Sequence, residues 1–201
     1  DVLTANLNEK HILVDIGNTQ IREVLDNNAW SGHIEPVRGI TFPVEWNGGG
    51  NKANHFITRS TSLLVDIESE TSVTQTLTVT YQNSSQSNSY PEGDYENYLR
   101  VYIPKGSTIQ STNGIEDVNI RNDSTTDLVE ISGWVIVPAR EKTTYSITYT
   151  CDSGNETGFP LTVETPGSVT YTLHFIKQPG LDADPITVQV SYPSSWSPVD
   201  L

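Results

Sequence analysis

The stretch that most limits what this chain can fold into is Asn97-Tyr98-Leu99-Arg100-Val101-Tyr102-Ile103-Pro104-Lys105-Gly106-Ser107. Leu99, Val101 and Ile103 fall on one face at period two, while Tyr98, Arg100 and Tyr102 fall on the other. Pro104 cannot donate to a ladder, and Lys-Gly-Ser after it ends the strand. An aliphatic face backed by an aromatic one suits a strand inside an antiparallel sandwich.

The same rhythm recurs downstream. Ser62 to Ile67 reads as a first strand, and Val73, Leu77, Val79 and Tyr81 share one face of a second. In that second strand Gln75 interrupts the apolar face, and Thr74, Thr76, Thr78 and Thr80 form the wet one. Residues 83–97 read as a long polar loop, and short runs follow at 107–112 and 117–121. Residues 127–137 make a further strand, with a bulge expected at Gly133-Trp134. Tyr145 to Cys151, Val169 to Phe175 and Ile186 to Tyr192 alternate in turn, with Lys177-Gln178-Pro179-Gly180 as a turn between the last two. Strands at this spacing with no helices between them predict an immunoglobulin-like antiparallel β-sandwich over residues 58–201.

Residues 1–57 read differently. The first ten are polar and uninformative, and His11 to Ile16 is an apolar run suited to a buried strand. Ile21, Val24 and Leu25 then recur at helical spacing, with Asn18 or Thr19 as the cap. This short strand–helix unit predicts the end of an α/β domain. Val37 to Trp46 supplies another strand, interrupted by Gly39 and Pro43. The segment Asn47-Gly48-Gly49-Gly50-Asn51-Lys52-Ala53-Asn54 reads as a wide turn or link between modules. The alternative is an anion nest of glycine N–H groups beside Asn51 and Lys52, although no helix start follows as a phosphate loop requires.

Charge narrows the partners. The 201 residues carry 25 Asp and Glu against 11 Lys and Arg, a formal net charge of −14. Such a surface repels phosphate backbones and anionic lipid, so nucleic acid is not expected as a partner. No apolar run reaches the length of a membrane span. The chain has no methionine and opens on no signal peptide, so it is expected to be a fragment of a longer protein. Cys151 is the single cysteine, on the apolar side of its strand, and reads as a buried inert thiol.

Few side chains suggest chemistry. His11, His33, His55 and His174 are dispersed without a second ligand type at metal spacing. Glu92, Asp94 and Glu96 alternate in a glycine-containing loop, and Asp182 and Asp184 alternate before Pro185. Asp94, Glu96, Asp182 and Asp184 are therefore the calcium candidates, with solvated acidic loops as the simpler reading. No other cofactor is expected. Tyr98 and Tyr102, with Trp134 and Trp196, are candidate sugar contacts, although tyrosines at strand spacing more often pack a sandwich. Asn83, Asn122 and Asn155 stand in sequons.

Several of these segments, taken in order, resemble the C-terminal part of a bacterial envelope family, the domain of unknown function 4012 family. They are Glu9-Lys10-His11, Asn28-Ala29-Trp30-Ser31-Gly32, Gly49 to Asn54, Asn97 to Ser107, Gly133-Trp134 and Lys177-Gln178-Pro179-Gly180. The resemblance implies a membrane-anchored, outward-facing protein whose central region is similar to the LytR–CpsA–Psr enzymes. Residues 1–57 would then end that α/β domain, and the sandwich would be its exported module. No catalytic residue is carried over, since those that such enzymes use would lie upstream. The expected role is a non-catalytic extracellular interaction or spacer module, tethered by an upstream segment, with another envelope protein or the parent α/β domain preferred as partner over cell-wall glycan. The alternatives are a carbohydrate-binding or adhesion module, and the last third of a glycan phosphotransferase with Lys52 and the glycine run against a lipid pyrophosphate.

Overall fold

A computed structural model describes residues 2–154, 158–165, 168–181 and 184–199. The chain opens on helix α1 (Val2–Asn8), where no element was expected, with Leu7 as its buried residue. Helix α2 (Thr19–Asn27) starts as its sequence predicts: the Asn18 side chain accepts from the N–H groups of Gln20 and Ile21 at 3.0 and 3.1 Å. The strand expected at His11 to Ile16 does not form. An apolar run needs a ladder partner to be a strand, and here Val14 N–H donates to the Trp30 carbonyl while Ile12, Leu13 and Ile16 stay more than a third exposed.

Strands follow from residue 40: β1 (Ile40–Asn47), β2 (Ile57–Ser69), β3 (Ser72–Asn83), β4 (Tyr95–Ile103), β5 (Thr108–Asn113) and β6 (Glu116–Asp123). Then come β7 (Leu128–Val137), β8 (Lys142–Asp152), β9 (Leu161–Thr165), β10 (Ser168–Tyr171), β11 (His174–Phe175) and β12 (Ile186–Ser191). One sheet runs β11-β1-β4-β7-β6 and the other β12-β2-β3-β8-β5, with β9 and β10 as a separate hairpin. The run expected at Val169 to Phe175 thus divides, its first half pairing with β9 and its second joining the first sheet.

The alternation read from sequence places the core. Leu99, Val101 and Ile103 of β4 and Ile131 and Val135 of β7 face Leu63, Val65, Leu77 and Val79 of the second sheet, all at most 2% exposed. Burying each such side chain contributes about 1.5–3 kcal/mol. On the outer face of the second sheet, Thr74, Thr76 and Thr80 exchange hydroxyl hydrogen bonds with Thr150, Thr148 and Thr144 at 2.8–3.1 Å. Gln75 interrupts the apolar face because its Oε1 accepts from the Tyr171 hydroxyl at 3.0 Å.

Three expectations change. The sheets are not wholly antiparallel: β11 runs parallel to β1, and β12 parallel to β2. β1, from within residues 1–57, is an interior strand of the first sheet, so the sandwich draws on the chain from Ile40 onward. The bulge lies not in β7, which pairs with β4 without a shift, but opposite it in β6, between Glu116 and Asn119. Gly133 makes this possible, because a Cβ there would meet Ile115 Cγ2 at 2.5 Å and the Glu116 carbonyl oxygen at 2.6 Å.

Pro43 sits inside β1 without breaking it. Beyond Thr41 that edge has no further strand partner, and the N–H of Glu45 points to it rather than to β4. Pro43 shares that side, so it forfeits no ladder bond.

Candidate functional site

The outer face of the first sheet gathers the aromatic residues. The register sets Trp46 of β1 opposite Tyr98 of β4, and Tyr98 opposite Trp134 of β7, so three rings form one row across three strands. Tyr98 meets Trp134 edge-on, centroids 5.0 Å apart at 65°, and the two indoles lie 6.4 Å apart at 48°. Gly48 lets the row close up, since a Cβ there would stand 2.8 Å from Trp134 Cη2. Trp46 remains 63% exposed, with its ring in water.

One residue pair along the sheet, Arg100 places its guanidinium carbon 5.5 Å from the Tyr98 centroid. Beyond it Phe42 and Tyr102 pack with centroids 6.2 Å apart and are covered. Burial first, then the neighbouring Glu130 carboxylate, pushes the Tyr102 phenol up to about 12. Glu130, 2% exposed, accepts from Arg121 Nε and Nη2 at 3.2 and 2.9 Å. Burial alone would raise its carboxyl, but hydrogen bonds from Arg121 and Tyr102 hold it below the ordinary value. Between this end of the sheet and the segment before β1 lies a cavity of about 580 Å³, its walls including Ile34, Phe42, Val44, Arg100, Tyr102 and His174. That is within the usual range of small-ligand pockets.

The two tyrosine candidates therefore part company. Tyr98 is half-buried in the open row, whereas Tyr102 is a wall of the cavity and 7% exposed. Trp134 joins the row as a sugar contact could, and Trp196 packs partly buried against the core instead. Trp46 was read only as the end of a strand. The aromatic alternation hinted at it, but the row needs the β1–β4 register, which no local pattern contains.

The glycine segment is a pinned corner. Gly48 N–H donates to the Glu96 carbonyl, Gly49 N–H to Asn47 Oδ1, Lys52 N–H to the Pro91 carbonyl and Ala53 N–H to Asn51 Oδ1. Asn51 Nδ2 also donates to the Asp94 carbonyl at 2.9 Å. Those four N–H groups are spent within the protein and cannot line an anion nest, and Asn51 holds two loops together. The Lys52 side chain is exposed.

The acidic candidates among the described residues do not converge either. Asp94 Oδ1 accepts from Ala139 N–H at 2.8 Å, and Glu92 Oε2 from the N–H groups of Gln86 and Ser87 at 2.8 and 3.0 Å. Each of these carboxylate oxygens accepts from backbone N–H groups of a nearby loop. Glu96 is exposed on β4, and Asp184 lies 3.7 Å from Arg59 Nη1; Asp182 falls outside the described residues. Among the described residues no group of three or more His, Cys, Asp or Glu is placed to hold a metal. Of the sequons, Asn83 is buried and donates to the Gly93 and Val137 carbonyls, Asn122 is exposed on β6, and Asn155 lies outside the described residues.

Between the sheets lies a buried polar cluster that the sequence did not suggest. Arg59 donates to both Glu45 oxygens, at 2.6–3.0 Å, with the two side chains 9% and 7% exposed. The hydroxyls of Tyr81 and Tyr95 donate to the same carboxylate at 2.8 and 2.9 Å. Burial foremost, then Glu45, raises both phenols. Every Glu45 oxygen is thereby satisfied, which marks a structural network rather than a reactive one.

No family model matches the chain, and no curated protein does. Among solved structures, a mutant M1 zinc metallopeptidase from Deinococcus radiodurans, bound to a Tyr-Ser-Ala substrate, aligns with 71% of this chain at 12% identity and a TM-score of 0.36. The aligned part is 34% of that structure's own length, and a likeness so low carries no argument about fold or activity.

Proposed function

We propose that the chain is a non-catalytic binding module of an outward-facing bacterial envelope protein, and that a carbohydrate seats on the row Trp46–Tyr98–Trp134. The observation that carries this reading is the exposure of Trp46, 63%, at the end of a row whose other two rings hold each other in place. A flat indole in water is costly to leave uncovered and stacks well against the C–H face of a sugar ring. The envelope setting rests on the resemblance of the segments quoted above. On the same reading the sandwich is immunoglobulin-like, and the helices before Ile40 end a preceding α/β domain.

A contact with that parent domain has its own support. Ile21 and Val24 of α2 are 45% and 56% exposed, an apolar stripe with nothing over it among the described residues. The carbohydrate reading is tested by a glycan array followed by calorimetry on wild type and Trp46→Ala. Circular dichroism serves as a check that the variant folds. Sub-millimolar binding lost in the variant supports it. Silence across the array, or binding indifferent to Trp46, overturns it.

A further inference from the structure

Resting on that reading, we infer that the sugar recognised beside the aromatic row bears a carboxylate, and that Arg100 is the residue that reads it. The chain has six arginines, and five are committed. Arg22 pairs with Asp15, Arg59 with Glu45 and Arg121 with Glu130. Arg38 donates to the carbonyls of Phe159 and Leu161, and Arg140 to that of Gln86. Arg100 alone, among the six, has neither a carboxylate within 4.0 Å nor a hydrogen-bond acceptor among the described residues; it lies over the Tyr98 ring and acts on Glu130 only through its charge at longer range.

In a chain with more than twice as many acids as bases, a guanidinium without a hydrogen-bonded acid is unusual, and its surroundings keep it so. Ser132, directly opposite on β7, has a buried hydroxyl without a partner, so it does not engage Arg100. Glu130 is held by Arg121 through two hydrogen bonds. Held over the Tyr98 ring, the guanidinium makes no hydrogen bond among the described residues, which leaves its donors available for bidentate capture of a carboxylate.

Position supplies the rest. Arg100 lies between the open row and the 580 Å³ cavity, so a sugar ring stacked on the row projects a substituent toward it. The net charge of −14 opposes a polyanion at long range, but the cavity wall is locally balanced. Lys10 and Arg100 stand there against Asp26 and Glu35, and the Asp26 carboxylate accepts from the Ser31 hydroxyl. One carboxylate in direct contact outweighs the screened field of distant charges.

The test uses short β-1,4-glucan oligosaccharides and their C6-oxidised glucuronate counterparts, which share a backbone and differ in one group per ring. Wild type is expected to bind the oxidised form roughly tenfold more tightly, the effect of one charge-assisted contact, with the preference shrinking as salt is added. Arg100→Gln is expected to bring the oxidised ligand down to the affinity of the neutral one, and Trp46→Ala to weaken both alike. Equal binding of the two forms by wild type, or a preference that survives Arg100→Gln, overturns the inference and leaves the carbohydrate reading standing. Binding of neither form, together with silence on the glycan array, overturns both.

Discussion

Gln178 and Glu45 are joined by two hydrogen bonds at the edge of the first sheet: the Gln178 amide oxygen accepts from the Glu45 N–H at 2.6 Å, and its Nε2 donates to the Glu45 carbonyl at 3.0 Å. A side chain thus occupies the place a neighbouring strand would take once β11 has ended. It satisfies the backbone of the residue whose carboxylate anchors the buried cluster. Truncation in Gln178→Ala leaves both groups without that partner. The expected loss is about 1–2 kcal/mol in urea denaturation with an unchanged slope. A variant as stable as wild type would show that water replaces the amide without cost.

The Glu45–Arg59 pair predicts a sharp asymmetry. Either single replacement by a neutral aliphatic residue strands a charge between the sheets, and each is expected to cost about 3–5 kcal/mol. Replacing both by leucine removes the stranded charge, so the double variant is expected to lose less than the two singles summed. A double-mutant cycle on denaturation free energies reads this directly. Additive losses would mean that the pair is not coupled.

Glu130 predicts how acid acts on the fold. Its carboxyl is lowered from the ordinary 4.5, mainly because hydrogen bonds from Arg121 and Tyr102 outweigh its burial. A depressed carboxylate contributes stability that is fully present above its unfolded value and is lost as pH falls through the folded one. Glu130→Gln lacks that titration. The stability gap between wild type and variant, taken from urea denaturation at a series of pH values, is expected to be constant near neutrality and to narrow below about 4.5. A gap that stays constant in acid would show that the ion pair forms no better in the folded chain.

Cys151 predicts chemical silence. It is 3% exposed, its Sγ lies 3.3 Å from the Ser107 hydroxyl, and burial pushes the thiol up to about 11. Labelling with a thiol reagent at pH 8 is expected to track unfolding and to become rapid in denaturant. Fast stoichiometric labelling of the native chain would contradict the burial.

The strands were legible because each writes its own burial locally. Leu99, Val101 and Ile103 alternate with Tyr98, Arg100 and Tyr102, and no partner is needed to see two faces. What depends on distant partners was not. His11 to Ile16 has the composition of a strand but no ladder to join, and the parallel placement of β11 and β12 is set by where the chain returns. The site divides in the same way. Tyr98 and Trp134 stood out singly, yet Trp46 becomes their neighbour only through register across β1, β4 and β7. The sequence shows the Asp94 carboxylate but not the N–H of Ala139 that bonds it across the fold.

The parallel edge of the second sheet has a mechanical meaning. From Ile186↔Thr61 to Ser191↔Asp66 the last strand lies alongside β2 in the same direction. A tension drawn between the start of β2 and the end of β12 therefore loads that whole ladder in shear, straining its hydrogen bonds together instead of unzipping them one by one. A sandwich closed in this way resists being drawn apart along that edge far better than one whose edge strands unzip bond by bond.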